Sequence, residues 1–446
     1  MKKILIVGKD ARAHAIATAL AKSNLYNDDT LYAIPGNPGI GLHWTNVGKS
    51  ETEFGEIAAL CLMEGITTIV VSAEGPLVHG DGIADFFAKH TDSKVREIKV
   101  IAPTKAAAQL EASKLFAKQF MLRHNIPTAM FEVFENHSFA LEYVSRINKD
   151  DYPIVIKADG LAAGKGVVVA TTFKIAEEAL YDCFENKVFG DAGKKVIIEE
   201  FLNGLEMSAF FALDGTSNYI TLPTAMDYKR LGVGNVGPNT GGMGAISPVP
   251  FADDAIIEKI QKQIVEPLIA GMQKEGTPYK GFLYVQIMIV KGEPYVVEFN
   301  CRLGDPEAEV ILPRVESDFG VLLDAIATGT LSDYKLKVSK RHSAGIILAA
   351  NGYPTNPEKG KLITYDGLKD NPAALVFFAG VELRDRKLYT NGGRVMCVQS
   401  LGDTLKDAVS NCWNVHNGIR FEGKTLRGDI GHNVPETYRV AEPVED

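Results

Sequence analysis

The chain has 446 residues, with 47 Lys and Arg against 56 Asp and Glu, a net charge of −9, 46% hydrophobic and 23% charged residues. At roughly 150 residues per domain this length predicts about three domains, and the near-average composition argues against disordered, collagen-like and coiled-coil classes. The acidic balance argues against a general polyanion binder, because non-specific nucleic-acid affinity comes from Lys and Arg neutralising phosphates.

The opening run MKKILIVGKDARAHA has too short an apolar core for a secretory signal and reads as a first strand. No apolar stretch approaches the roughly 18 residues of a membrane span, so no membrane partner is expected, and the acidic balance leaves no nucleic-acid partner expected. Cys61, Cys183, Cys301, Cys397 and Cys412 are odd in number, dispersed and never spaced as CxxC. They predict neither a disulfide framework nor a zinc site, and the expected location is a reducing cytoplasm.

Residues 2–7, 31–34, 66–71 and 98–101 are short β-rich runs separated by helical signals, among them Ser50 three residues before Glu53, a capping-box pattern. Strand alternating with helix predicts a parallel sheet covered on both faces, so residues 1–103 are expected to form an open α/β domain. Ligands bind such sheets beyond the carboxyl ends of the strands, which points to the turns after Val7, Ile34 and Val71. From Pro103, KAAAQLEASKLFAKQFMLRH is rich in good helix formers. Residues 153–213 then predict an antiparallel sheet carrying a glycine-bearing loop. A long helix is expected over 252–274 and a hairpin from 281–290 and 294–300, turning at Lys291 and Gly292. Beyond about residue 330, three β-rich runs and a helix at 403–417 predict a small α+β domain. The fold class is therefore α/β and α+β multidomain.

The loop ADGLAAGKGVVV, residues 158–169, holds Gly160, Gly164 and Gly166, with Lys165 between the last two. Glycines let backbone N–H groups approach phosphate oxygens, and the lysine adds charge. The spacing is not that of a Walker A loop, and strands flank it on both sides, so a phosphate-covering hairpin is expected. On this loop alone an ordinary glycine-rich turn is an equal reading. Lys114 and Lys157, single lysines in apolar settings, read with the loop as phosphate partners.

In PYVVEFNCRLGDPEAE, strand alternation predicts Val296, Glu298 and Asn300 on one face and Tyr295, Val297 and Phe299 on the other. A carboxylate and an amide oxygen on a mostly buried strand suit a hard cation such as Mg2+, which would hold nucleotide phosphates. Arg302 and Asp305 beside Gly304 suit a clamp on a carboxylate or phosphate, with a Glu298–Arg302 ion pair as the alternative. In VIIEEFLNGLEMS, the backbone around Glu199, Glu200, Phe201 and Leu202 suits an adenine edge and Glu206 suits ribose hydroxyls; a solvated strand end is the competing reading. The GxGxxG at Gly232, Gly234 and Gly237 runs into Pro238 instead of opening a helix, so it reads as part of a long ligand-facing loop. His14, just after the first strand, reads equally as a substrate contact or a helix-capping residue.

Together these segments resemble the glycinamide ribonucleotide synthetases, or phosphoribosylamine–glycine ligases, of the ATP-grasp superfamily. The resemblance rests on PGNPG at 35–39, AAQLEASK at 107–114, IVIKADGLAAGKGVVVA at 154–170, EEFLNGLE, DYKR, GPNTGGMGAISP, EFNCRLGDPE and TNGGRV at 390–395. It implies an N-terminal acceptor-binding domain (1–103), a central ATP-grasp domain (104–330, with a lid subdomain at about 125–195) and a C-terminal domain (331–446). It also implies an ATP-dependent ligase of purine biosynthesis that joins glycine to 5-phosphoribosylamine with Mg2+ or Mn2+, as a monomer or weak homodimer. By carry-over, Glu298 and Asn300 would ligate the metal. Lys114, Lys157, Gly164, Gly166, Glu199, Glu200, Phe201, Leu202, Glu206, Arg230 and Asn239 would hold ATP. Lys165, Arg302 and Asp305 would act at the reacting groups, and Gly8, Arg12, His14, Asn37, Glu74, Asp227 and Gly304 would contact the other substrates.

Two turns depart from the family's pattern: its usual GNGGREH reads GKDARAH from Gly8 to His14, and its usual GPE reads Ser72-Ala73-Glu74. Both lie where the resemblance places the acceptor. A ligase with another amine acceptor, or a nucleotide-binding homologue without catalysis, therefore remains an alternative.

Overall fold

In the computed structural model, which describes residues 2–160, 166–365 and 374–436, five parallel strands open the chain. They are β1 Ile4–Gly8, β2 Leu31–Pro35, β3 Thr45–Asn46, β4 Thr68–Val71 and β5 Lys99–Ile101, in the order β3-β2-β1-β4-β5. Side chains alternate across β1: Leu5 and Val7 pack toward the helix Phe54–Glu64, while Ile4 and Ile6 pack toward the helix Ala11–Leu20. Burial on both faces explains why β1 is continuously apolar and not alternating. The expected Ser50–Glu53 capping box does not form. Glu53 itself occupies the N-cap, and Ser50 Oγ accepts from the Thr52 N–H at 3.3 Å.

The strand order reverses beside β1, which brings Gly8 against Ser72 at the crevice expected to receive ligands. A Cβ on Gly8 would lie 2.0 Å from Ser72 Oγ. Gly8→Ala is accordingly expected to destabilise by about 1–3 kcal/mol, with Ser72→Gly restoring only the part due to the Ser72 contact, because Gly8 also holds φ at +154°. Urea unfolding of the single and double variants checks this; an equal loss in both would remove the contact as its cause.

The helix expected after Pro103 is broken. Ser113, at φ −130° and ψ 115°, separates Gln109–Ala112 from Lys114–Arg123. Its side chain caps the second helix, accepting from the Phe116 N–H at 3.0 Å, and Asp159 Oδ1 accepts from the Leu115 N–H at 3.1 Å. Propensity favoured continuity, but the Ser113 hydroxyl and the Asp159 carboxylate, which the fold brings from 44 residues away, satisfy the freed donors.

The next strands, β6 Phe131–Phe134, β7 Ile154–Ala158, β8 Val167–Ala170 and β9 Val196–Glu200, form an antiparallel sheet in the order β6-β9-β7-β8. The chain continues through β10 Leu205–Asp214, β11 Tyr219–Thr221, β12 Met226–Asp227, β13 Arg230–Gly232, β14 Val236–Asn239 and β15 Gly244–Ser247. Helical residues 254–274 follow, containing a π turn at Gln261–Val265 just before Pro267, which has no N–H to donate. β16 Lys280–Val290 and β17 Glu293–Asn300 complete a second antiparallel sheet, β11-β10-β16-β17. Their hairpin turns at Lys291 (φ 51°) and Gly292 (φ 80°), the pair of positive φ values that a two-residue hairpin turn needs.

The C-terminal sheet draws on both halves of the chain. Its order is β12, β15, His342–Ala349, Arg394–Gly402 and Ala374–Phe378, so two strands from the 226–247 segment join the three later ones. The helix Leu405–His416 packs on it, capped by a reciprocal Thr404–Asp407 box. All five cysteines are free and buried, and no helix among the described residues is long and apolar enough to cross a membrane.

Candidate active site

The floor of the site is one face of the second antiparallel sheet. Register aligns Ser208 with Gln286 and Glu298, and Phe210 with Tyr284 and Asn300, so these side chains share a face with Glu206. The opposite face, with Met207, Ala209, Phe211, Leu283, Val285, Ile287, Val296 and Phe299, belongs to the main apolar core. Here the alternation expected for β17 needs correction. A register shift lets β17 advance two residues, Val296 to Glu298, while β16 advances one. This bulge at Val297 puts Val296 in the core with Phe299 and leaves Glu298 and Asn300 together on the site face.

Gln286, a lone amide in the apolar run GFLYVQIMIV, was not singled out from sequence, although that isolation is the signal. It is 1% exposed and donates to Glu206 Oε1, which also accepts from Lys229 Nζ at 2.9 Å. Burial pushes the Glu298 carboxyl up, but Lys229, Lys114 and Lys157 outweigh it and hold Glu298 below the usual carboxylate range. Burial likewise pushes the Lys229 ammonium down.

The first antiparallel sheet overhangs this floor. Lys157 Nζ lies 2.8 Å from Glu199 Oε2 and 3.4 Å from Val297 O, linking β7, β9 and β17. Lys114 Nζ donates to Gly160 O at 3.1 Å, and Gly166 O accepts from the Ala158 N–H at 2.9 Å. β7 and β8 pair antiparallel on either side of the glycine loop; Gly164 and Lys165 lie outside the described residues. Glu200 Oε1 accepts from the Met130 N–H at 2.8 Å, while Phe201 is 40% exposed beside half-buried Leu202. Arg230 and Asn239 face each other across β13 and β14, and Arg230 donates to Gly237 O at 2.8 Å. The GxGxxG glycines belong to this two-stranded ribbon and open no helix.

A buried ionic network joins the three parts of the chain. Arg302 Nη2 lies 2.6 Å from Glu74, 3.2 Å from Glu111 and 3.1 Å from Asn300 Oδ1, and its Nη1 donates to Leu303 O. Glu111, which sequence reading did not single out, also accepts from the Cys301 N–H at 2.6 Å. Burial works against the Arg302 charge, but Glu111 and Glu74 outweigh it and hold the guanidinium above its usual value. Arg12 donates to Leu303 O at 2.7 Å and pairs with Asp10 at 2.5 Å. Asp305 Oδ1 lies 3.1 Å from Arg394 Nη2, and Arg394 also donates to Asp305 O at 2.6 Å and to Gly241 O.

Gly304 allows the Glu307 carboxylate to sit where a Cβ would be, 2.3 Å from that position. Glu307 is 3% exposed and accepts from Ser208 Oγ at 3.3 Å. Burial and then the Glu307 charge push Asp227 well above the usual carboxylate range. Two carboxyl groups placed together, with Asp227 raised in this way, suit a cationic group.

The structure commits two expected substrate contacts to packing. Asn37 Nδ2 donates to Lys9 O, Asp10 O and Phe378 O, and its Oδ1 accepts from the Ile40 N–H. His14 Nδ1 accepts from the Phe378 N–H at 3.0 Å, and the ring packs edge-on against Trp44, Phe377 and Phe378. Burial, with a smaller contribution from His43, lowers the ring from 6.5 to about 3, so it is neutral. The stability it contributes is therefore complete above 6.5 and lost as pH falls toward 3. His14→Gln is expected to flatten that part of the acid limb, read as the urea midpoint between about pH 7 and about pH 4; identical slopes in the two proteins would discount it.

Among the described residues, no group of three or more His, Cys, Asp and Glu side chains could hold a metal ion. Glu298 offers a hard carboxylate. Asn300 Oδ1 accepts from Arg302, and the buried Asn300 Nδ2 has no partner. Mg2+ commonly takes one or two protein oxygens and completes its shell with phosphate and water, so this pair suits a metal that arrives with phosphate.

Family models match along the chain: Phosphoribosylglycinamide synthetase N domain over 2–111, the ATP-grasp (A) domain over 112–308 and the C domain over 343–433. The phosphoribosylamine–glycine ligase of Ralstonia nicotianae is 43% identical over 434 residues, spanning 96% of this chain and 99% of its own. That of Pasteurella multocida is 43% identical over 433 residues, spanning 96% of this chain and 97% of its own. Among solved structures, the Thermotoga maritima phosphoribosylamine–glycine ligase superposes with a TM-score of 0.80 at 35% identity, over 95% of this chain and 99% of that one. The biotin carboxylase domain of Hydrogenobacter thermophilus 2-oxoglutarate carboxylase shares the fold alone, with a TM-score of 0.70 at 16% identity, over 95% and 91% of the two chains.

The paired antiparallel sheets and the cleft between them are those of an ATP-grasp enzyme. The chain belongs to the phosphoribosylglycinamide synthetase family, whose members are ATP-dependent ligases.

Proposed function

We propose that this protein joins glycine to 5-phosphoribosylamine, converting ATP to ADP and phosphate and giving glycinamide ribonucleotide for purine synthesis. The observation that carries this reading is family membership along nearly the whole chain, at 43% identity to a named ligase. Residues 1–103 would receive the acceptor, 104–330 would grip ATP and 331–446 would close the back of the cleft. The five buried free thiols suit a reducing compartment, and we place the reaction in the cytoplasm.

Amide formation from a carboxylate needs a better leaving group than oxide. In this reading the glycine carboxylate attacks the γ-phosphorus of ATP, releasing ADP and forming glycyl phosphate. The acceptor amine then attacks the glycyl carbon, a proton leaves the nitrogen and phosphate departs. Lys114 and Lys157 would bind phosphate oxygens, Arg302 would orient the reacting carboxylate, and Asp305, paired with Arg394, would help position the transferred phosphoryl group. Half-buried Asp227 and buried Glu307 would face the ammonium of glycine. A metal held by Glu298, with Asn300 once Arg302 yields its oxygen, would neutralise charge on the phosphates. The loop at 158–169 would cover the acyl phosphate and keep water from it.

The test is ADP release by the purified full chain. It should require glycine and freshly prepared phosphoribosylamine together. One observation favours a different acceptor: Asp10 accepts from the Ala13 N–H at 2.9 Å, placing its own carboxylate at the helix N-terminus where a substrate anion would otherwise be favoured. ADP release with another amine, and none with phosphoribosylamine, would establish that alternative.

A further inference from the structure

Glu199 Oε2 is shared by two ammonium groups, Lys118 Nζ at 3.0 Å and Lys157 Nζ at 2.8 Å. All three side chains are buried, at 2%, 5% and 4% exposure for Lys118, Lys157 and Glu199. Buried charges are ordinarily paired, so two lysines on one carboxylate oxygen leave a surplus positive charge in the wall of the cleft.

The two lysines are not equivalent. Lys118 projects from the helix Lys114–Arg123 and also donates to Thr128 Oγ1 at 2.8 Å and Ala129 O at 3.3 Å. With Glu199, these contacts use its three donors. Its position is further held over the Phe131 ring, 5.4 Å from the centroid. Lys157 has Glu199 and one long contact to Val297 O, and its charge is felt by Glu298 on the cleft floor. Lys118 is thus anchored, and Lys157 has donor capacity toward the cleft.

We propose that Lys118 is a positioning residue for nucleotide binding: it is the fixed counterion that keeps Glu199 paired while the Lys157 ammonium turns to the nucleotide phosphates. The assignment rests on Lys157 being a phosphate partner, as in the proposed function. Without Lys118, recruiting Lys157 would strand Glu199 as an unpaired buried carboxylate, so Lys157 would stay with Glu199 and bind phosphate weakly.

The charges facing Lys118 are Glu199 and Glu200 from β9 and Lys157 from β7. Burial is the largest influence and lowers the Lys118 ammonium to about 8. The wild-type counterion therefore loses its charge in mildly alkaline solution, whereas an arginine there would keep it.

The experiment is equilibrium titration of the full chain with a magnesium-bound non-hydrolysable ATP analogue and, separately, with adenosine. Wild type, Lys118→Met and Lys118→Arg are compared at about pH 7 and about pH 9. At the lower pH, Lys118→Met should weaken the triphosphate by about tenfold or more and adenosine by less than about threefold. Wild type should show a similar selective loss on going to the higher pH, and Lys118→Arg should not.

A folded Lys118→Met protein that binds the triphosphate as wild type does would overturn the assignment, as would equal losses for triphosphate and adenosine, the mark of a merely structural role. If Lys118→Met fails to fold, Lys118→Arg decides: an alkaline loss that persists in it overturns the assignment, and its disappearance supports it. No acceptor enters these titrations, so failure of the ADP-release assay with phosphoribosylamine is a separate result.

Discussion

Glu298→Gln is expected to lower turnover by about 100-fold or more while leaving the protein folded. The substitution keeps the size and most of the hydrogen-bonding capacity of the side chain and removes only the charge. In the folded protein Glu298 is the negative centre among Lys229, Lys114, Lys157 and Arg302, which keep it ionised against the effect of burial. Neutralising it leaves those cations facing the place where a divalent metal must sit, so the variant should need far more Mg2+ and reach a lower maximum. Rate measured against Mg2+ concentration, with the unfolding midpoint as a control, checks this. A folded variant with unchanged turnover and Mg2+ dependence would remove Glu298 from the metal site.

Arg302→Ala is expected to be the most destabilising single change at the site, costing about 3–5 kcal/mol as is typical when one partner of a buried charge network is removed. Arg302 holds Glu74, Glu111 and Asn300 at once, at 2.6, 3.2 and 3.1 Å. Its loss leaves Glu111 with the Cys301 N–H but no counterion, and releases the turn after β4 from the segment after β17. Adding Glu111→Gln to Arg302→Ala should recover part of the loss, because it removes the stranded charge. Denaturant unfolding of the two single variants and the double variant measures that coupling. Strict additivity would mean that Arg302 acts through packing. Arg302→Lys should also fall short of wild type, since an ammonium cannot reproduce the planar fork that reaches several acceptors.

Much of the site was legible before any tertiary structure was known. Glu298 and Asn300 stand out as polar residues in a strand whose neighbours are apolar, and both do face the cleft. Lys114 and Lys157 stand out as single lysines in apolar settings, and Arg302 as an arginine beside Gly304. The face of Val296 was misread, since a bulge adds a residue without any local mark in PYVVEFN. Glu111 and Lys118 were missed for a different reason. Each sits in an ordinary helical run where a charged residue reads as a solvated face, and only packing against Cys301, Arg302 and Glu199 reveals its work.

By itself, the sequence determined the parallel opening sheet, the hairpin at Lys291 and Gly292 and the helical stretch near 254–274, because periodicity, turn residues and capping act over a few neighbouring positions. It also carried the family motifs that define the chemistry. Tertiary structure alone decided that β12 and β15 join the C-terminal sheet, that Ser113 breaks a run of helix formers, and that His14 and Asn37 are taken up in packing. Those outcomes depend on partners as far as 364 residues away, His14 on Phe378 among them. No local pattern encodes such a partner, because the free energy that selects it arises only when the distant surface arrives.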